Sequence, residues 1–405
     1  MRARFRAPGG RCIDRAMGEV TTSEIAIVVL AAGKGTRMRS ALPKVMHPLA
    51  GQPLLHHALR AAMTLNPARV AVVVGHGAET VGASAREVCP GAAIVPQAEQ
   101  LGTGHAVRMA EAALSDFEGQ VIVLYGDTPF ISPETLRRLT EAPEAVTVLG
   151  FETSEPGRYG RLVLEGSALL RIVEAKDATA VELAITTCNS GVMAAPAKAL
   201  WPLLHQLTDE NAQGEYYLTD VPALARAAGR ETRAVLCDQA ETLGVNDRLE
   251  LATAEARFQA GARDAAMRAG ATLQAPETVY FAWDTELGED VTIEPHVWFG
   301  PGVRVADGVT IRAYCHLEQA TLEPGVSIGP FARLRGGARL GQGAYLGNFV
   351  ELKGAEMGAG AKAAHLTYLG DAEVGAGANI GAGTITCNYD GVQKHRTTIG
   401  ARAFI

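Results

Sequence analysis

Three things are scarce in this 405-residue chain: closely paired cysteines, long apolar runs and net positive charge. The six cysteines, Cys12, Cys89, Cys188, Cys237, Cys315 and Cys387, are widely scattered, which argues against a zinc site or a redox dithiol and points to reduced thiols in a cytoplasmic protein. The most apolar run, Ile25 to Ala32, suits a strand and falls far short of a membrane span. A formal charge of −7 leaves no global footprint for nucleic acid or an anionic membrane, so any basic site is local. Arg2, Arg4, Arg6, Arg11 and Arg15 crowd the start of the chain without the hydrophobic segment of a secretory signal. Residues 1–24 are expected to be a disordered extension; the alternative is a start codon placed too early, with Met17 as the true start.

The length exceeds one ordinary core and predicts two or three domains. Glycine, by contrast, is abundant, and two glycines fall in the stretch Leu30 to Lys44, LAAGKGTRMRSALPK, just after the strand-like run Ile25 to Leu30. Glycines let backbone N–H groups approach an anion, and Arg37 and Lys44 supply charge, so the loop reads as a phosphate cradle. It is not a dinucleotide fingerprint, because Met38 stands in the third glycine slot and the next strand closes on Gly75 and His76 without an acid. It is not a Walker loop either, since Val28 stands where that motif needs its first glycine. A solvated basic loop is the plainer alternative.

From Ile25 to about Phe151, apolar runs at Val70 to Val74, Ala92 to Val95, Val121 to Tyr125 and Ala145 to Leu149 alternate with helical patterns. The helical patterns lie at Leu54 to Leu65, Thr80 to Val88, His105 to Leu114 and Pro133 to Leu139, which predicts a doubly wound, Rossmann-like α/β layer. Ligands of such sheets gather beyond the carboxyl ends of the strands, where Tyr125, Gly126 and Asp127 lie. Tyr159 to Val192 reads as a hairpin-rich insertion, and Asp247 to about Gly270 as one linker helix. Beyond it aliphatic or aromatic residues recur every six positions: Leu287, Ile293, Phe299, Val305, Ile311 and Leu317. The series resumes one position early at Leu322, Ile328, Leu334, Leu340, Leu346 and Leu352, slips again to Met357 and Ala363, then Val374 and Ile380, and closes on Ile399 and Ile405. This is the hexapeptide signature of a parallel β-helix, three hexapeptides to a coil. The expected domains are 25–246, a linker at 247–273, and 274–405.

Magnesium takes one or two protein oxygens and leaves the rest of its shell to phosphates and water, which makes Asp127 a candidate ligand. Asn246, in Gly244-Val245-Asn246, is a second candidate oxygen, or from spacing alone a helix cap. His47, His56, His57, His76 and His105 lack metal-ligand spacing and are read as packing or surface residues, His105 as one that opens a helix. His365 lies where the hexapeptide register is disturbed, and such a break in a regular repeat is where a site is tolerated.

The run Gly-x-Gly-Thr-Arg-Met with Leu42-Pro43-Lys44 resembles sugar-phosphate nucleotidyltransferases, and the repeat resembles left-handed β-helices of hexapeptide acyltransferases, which are typically trimers. Taken with QAEQLGTGHA (Gln97 to Ala106), YGD, YGR, NAQGEYYLTD (Asn211 to Asp220), GVN and NIGAGTITCNYDG (Asn379 to Gly391), the chain from Ile25 to Ile405 is similar to one bacterial family. That family couples N-acetylglucosamine-1-phosphate uridylyltransferase to glucosamine-1-phosphate N-acetyltransferase. The resemblance implies acetylation of glucosamine 1-phosphate by acetyl-CoA, then uridylyl transfer from UTP with release of pyrophosphate.

It further implies that Leu30, Ala31, Ala32, Gly33, Gln97, Gly102 and Thr103 hold the uridine, the Gln97 amide and backbone groups matching the edge of uracil. Arg37 and Lys44 would grip the triphosphate beside Tyr125 and Gly126, Asp127 and Asn246 would bind Mg2+, and Gly160, Glu174 and Asn189 would hold the sugar. In the second half the resemblance makes His365 the general base, Arg335 and Lys353 the phosphate grip, Tyr368, Asn379, Asn388 and Tyr389 the rest of the acceptor site, and Ala382 a contact to acetyl-CoA. Gly336 and Ala364 depart from residues common in the family, proline and glycine respectively. The family's chain continues past the counterpart of Ile405, so the reading is of a truncated β-helix with an acetyltransferase weakened or, in the alternative, lost. A non-catalytic scaffold is a second alternative, and a zinc β-helix using His296, His316 and His365 a third that their spacing does not favour.

Overall fold

The computed structural model describes residues 5–6 and 24–405. Residues 1–4 and 7–23 of the expected extension, with Met17 and Cys12, lie outside the described residues. Phe5–Arg6 pair antiparallel with Glu286–Leu287. The described residues divide into two compact units, one of residues 24–48 and 53–254, the other of residues 5–6, 49–52 and 255–405.

The first unit is built on a nine-stranded sheet in the order Ala93–Pro96, Arg69–Val74, Ile25–Ala31, Gln120–Tyr125, Thr187–Pro196, Val146–Glu152, Thr232–Cys237, Ala168–Val173, Arg161–Glu165. The first four strands run parallel, as their apolar runs predict. Ile27, Val29 and Ala31 face one buried cluster and Ala26, Val28 and Leu30 the other, so the strand alternates between two covered faces. The helices Leu54–Met63, Ala78–Val88, Thr103–Met109 and Pro133–Leu139 fall where the periodicity places them, though the third is shorter than expected. After Ala110 that segment tightens into the 3₁₀ turn Glu111–Ala113.

The doubly wound expectation needs one correction. Thr187–Pro196 runs antiparallel between Gln120–Tyr125 and Val146–Glu152 at the middle of the sheet, so the layer is mixed. The expected hairpin is present as Arg161–Glu165 and Ala168–Val173 at the sheet's end. Arg161 is buried and donates to the carbonyls of Pro156, Gly157 and Tyr159, which pins the loop that carries Gly160. The helix expected from Asp247 spans Arg248–Arg268.

The second unit is a stack of short parallel strands in which residues of one coil pair with those of the next. From Glu286 the partners are Arg304, Thr321, Arg339, Glu356 and Glu373, separations of 18, 17, 18, 17 and 17 residues; the next partner, Thr398, follows after 25. Each slip of the hexapeptide series before Glu373 is therefore a 17-residue coil. Every guide residue from Leu287 to Ile380 is at most 4 % exposed, whereas Ile405 is 55 % exposed. This pairing is consistent with a parallel β-helix. Leu369, six after Ala363, belongs to the same buried series and was skipped in the sequence count. At successive left-handed corners His296, Tyr314, Phe331 and Phe349 stack with ring centroids 4.8, 5.0 and 5.0 Å apart, and the last three are half exposed.

Candidate active sites

In the first unit a cleft of about 260 Å³ opens beyond the carboxyl ends of the parallel strands. Its wall brings together Leu30, Ala31, Ala32, Gly33, Lys44, Gln97, Gly102, Thr103, Tyr125 and Asp127. The strand Ile25–Ala31 delivers the first of these, and the turn after it is folded tightly enough that a Cβ on Gly35 (φ 60°) would lie 2.6 Å from Lys44 Cβ. Lys44 Nζ contacts Asp127 Oδ2 and lies 3.2 Å from Asn246 Oδ1. The Val245 N–H donates to the Asp127 carbonyl at 3.0 Å, which holds Asn246 beside it. Gly126 sits where a Cβ would press on Val45 and Leu55, at 3.2 and 3.1 Å.

Arg37 is exposed on the 3₁₀ turn Thr36–Met38 and is not among the lining residues. Gly160, Glu174 and Asn189 form a neighbouring cluster rather than part of that wall. The Asn189 N–H donates to the Gly160 carbonyl at 2.8 Å, and Thr219 Oγ1 donates to Glu174 Oε1 at 3.1 Å. Burial raises the Glu174 carboxyl above its ordinary range. Tyr125 lies between the two groups: its ring packs on Gly191, and burial with the charges of Asp127 and Glu174 pushes its phenol well up.

The sequence reading missed Val45, Gln100, Ala106 and Glu215 as lining residues. Gln100 donates to the Ala32 carbonyl at 2.6 Å and so ties the two loops. Gln100 and Glu215 both sit inside motifs already singled out, QAEQLGTGHA and NAQGEYYLTD, which was the available signal.

In the second unit, register does the gathering. Strand Tyr345–Lys353 pairs parallel with Lys362–Gly370, which sets His365 against Asn348 and Tyr368 against Glu351. Arg335 pairs with Lys353 one coil earlier and bonds Glu351 at 2.7 Å. His365 is exposed, with Nδ1 2.7 Å from Asn348 Oδ1. An amide oxygen only accepts, so Nδ1 carries the proton of this contact, and in the neutral ring Nε2 is left with the lone pair. Asn388 Nδ2 donates to Asp371 Oδ2 at 2.6 Å, and Tyr389 to the Gly391 carbonyl at 2.6 Å. Asn379 pairs with Lys362 on another column, and Ala382 is exposed just after it. Asn348 was not foreseen; it stands 17 residues before His365, a spacing that has meaning only once the coil length is known.

Among the described residues no three His, Cys, Asp or Glu side chains cluster as metal ligands, and none of the helices is long and apolar enough to cross a membrane. His296 stacks on Tyr314 and His316 on Trp298, away from any zinc triad with His365.

Residues 27–213 match the model of a MobA-like NTP transferase domain. Over longer stretches the chain is 55 % identical to the bifunctional protein GlmU of Jannaschia sp. (strain CCS1), covering 96 % of this chain and 86 % of that one. It is 59 % identical to that of Cereibacter sphaeroides (94 % and 84 %) and 56 % to that of Paramagnetospirillum magneticum (95 % and 86 %).

Proposed function

The chain belongs to the bifunctional GlmU family, and from that premise we propose how its two sites carry out the synthesis of UDP-N-acetylglucosamine. The enzyme acetylates glucosamine 1-phosphate with acetyl-CoA and transfers a uridylyl group from UTP to N-acetylglucosamine 1-phosphate. The observation that carries the first site is the convergence of Lys44, Asp127 and Asn246 at a cleft lined by Gly33, Gln97 and Gly102.

In uridylyl transfer the sugar phosphate oxygen attacks the α-phosphorus of UTP and pyrophosphate leaves, so the protein's task is alignment and charge neutralisation. Leu30 to Gly33, Gln97, Gly102 and Thr103 hold the nucleoside, Gly160, Glu174 and Asn189 the sugar, and Lys44, with Arg37 from the exposed turn Thr36–Met38, the phosphates. The donor set of one carboxylate and one amide oxygen, already facing a cation in the Lys44 ammonium, fits Mg2+ at Asp127 and Asn246. The bound ion would supply charge neutralisation on the phosphates.

In the second unit, which we read as a left-handed β-helix, His365 Nε2 takes the proton of the acceptor amine as nitrogen attacks the thioester carbonyl; the C–S bond then breaks and CoA leaves as its thiol, with the amide formed. Asn348 keeps the imidazole in that tautomer, Arg335 and Lys353 grip the sugar phosphate, Tyr368, Asn379, Asn388 and Tyr389 complete the acceptor site, and Ala382 meets acetyl-CoA. The half-exposed aromatic column supports self-association through this unit, which we take to be of three copies from the resemblance to hexapeptide acyltransferases. Free cysteines and cytosolic co-substrates favour the cytoplasm. Domains of 25–246 and 274–405 joined by 247–273 remain our division.

Lys44→Ala and Asp127→Ala are each expected to cut pyrophosphate release from UTP by at least about 100-fold while the same preparation still releases CoA thiol in acetyl transfer. Near-normal turnover in either variant would sink the assignment.

A further inference from the structure

We propose that His105 determines which pyrimidine the cleft accepts, by fixing the direction of the Gln97 amide. The inference rests on the reading of the cleft as a nucleoside site. Gln97 and His105 are 5 % and 8 % exposed, and Gln97 lines the cleft whereas His105 stands behind it. Gln97 Nε2 lies 3.0 Å from His105 Nδ1 and 3.4 Å from the Gly102 carbonyl oxygen.

A carbonyl oxygen can only accept, so the amide nitrogen belongs on the Gly102 side. The second N–H of the same nitrogen then goes to His105 Nδ1, which must carry a lone pair, with the ring neutral and its proton on Nε2. Burial and the nearby Arg108 guanidinium both press His105 towards the neutral form, against a smaller opposing pull from Glu99. Both amide hydrogens are thereby used within the protein. What Gln97 has left for a ligand is its carbonyl oxygen.

An acceptor in that position suits uracil, whose N3–H is a donor, and opposes cytosine, whose N3 is a lone pair. A half-turn of the amide would offer N–H instead and reverse the preference. In this structure the half-turn would set Oε1 against the lone pairs of both His105 Nδ1 and the Gly102 carbonyl. With His105 removed, only the longer contact to Gly102 resists it. A buried polar group left facing the wrong edge is what makes such discrimination steep. His105 does not touch the base, so it is a positioning residue.

The test is the ratio of kcat/KM for UTP to that for CTP, measured by pyrophosphate release with N-acetylglucosamine 1-phosphate. His105→Leu, which fills the space without an acceptor, is expected to lower the ratio at least about tenfold, mainly through KM. His105→Asn, whose Oδ1 can stand where Nδ1 stood, is expected to restore most of it. Acetyl transfer by the same preparations gauges folding, and the ratio is internal to each preparation. A His105→Leu ratio equal to that of the parent, or an Asn variant as unselective as the Leu variant, overturns the proposal. Gln97→Ala separates the two layers: if it leaves KM for UTP unchanged, the nucleoside-site reading itself fails, whereas a raised KM with an unaltered His105→Leu ratio overturns only the role of His105.

Discussion

Replacing Gly102 by alanine would put a methyl carbon 2.6 Å from the carbonyl oxygen and 2.9 Å from the amide nitrogen of Tyr216. Two penalties add. Gly102 holds φ 111° and ψ 175°, a region that side-chain-bearing residues essentially avoid, at a cost of about 1–3 kcal/mol. The new methyl also meets backbone rather than a flexible side chain, so the segments must part by most of an ångström. That movement strains two hydrogen bonds that seat the wall of the cleft, Gly104 N–H to the Tyr216 carbonyl and Tyr216 N–H to the Leu101 carbonyl, both 2.8 Å.

If the cleft must be restored to its present shape to bind nucleotide, a penalty of about 1–3 kcal/mol lowers kcat/KM for UTP by about 5- to 150-fold. The assay is pyrophosphate release over a range of UTP concentrations, with acetyl transfer by the same sample as the measure of intact fold. A Gly102→Ala enzyme within twofold of the parent in kcat/KM for UTP would refute the argument that this glycine's geometry shapes the nucleoside wall.

Other consequences can be measured separately. Leu334→Ala removes a fully buried guide residue and is expected to cost about 2–5 kcal/mol, read as a lower denaturation midpoint of the second unit. Because burial raises Glu174, the folded state holds that proton more tightly than the unfolded chain, so its contribution is favourable at low pH and is lost as pH rises above the ordinary glutamate value. Glu174→Gln should flatten stability against pH in that window; an unchanged slope counts against it. Burial pushes the thiols of Cys237 and Cys315 up to about 12, whereas Cys387 is exposed, so brief iodoacetamide treatment near pH 8 should label Cys387 and spare the other two, as peptide mass spectrometry would report.

How far the sequence could be read depended on whether the signal was local. The run from Ile25 and the guide positions from Leu287 to Ile380 were legible because one covered strand or one six-residue period is a nearby pattern, and the burial of those guide residues matches it. The central antiparallel strand was not. Its apolar character breaks at Asn189, Ser190 and Gly191, where the pairing with Val146–Glu152 shifts register, and its neighbours lie far away in sequence. In the sites, Lys44 and Asp127 stood out by residue type after a strand, but Asn246 needed the motif around it. His105 was read as opening a helix and does lie in the first turn of Thr103–Met109, yet its ring turns back on Gln97, a contact that spacing cannot reveal.

The coil lengths of the second unit make its size countable. Each turn from Glu286 to Glu373 consumes 17 or 18 residues and lands on the equivalent position of the next coil, so removing or duplicating one turn preserves phase everywhere else. Such an edit would shift one end of the stack by a single strand spacing, about 4.8 Å, and leave the face around His365 intact if made between Glu286 and Thr321. The 25-residue turn obeys the same arithmetic: its surplus leaves the stack at a corner and returns in phase, Glu373 still pairing with Thr398. Length along the axis and chemistry at the rim are therefore independent variables in this protein, adjustable in whole turns and in loops respectively.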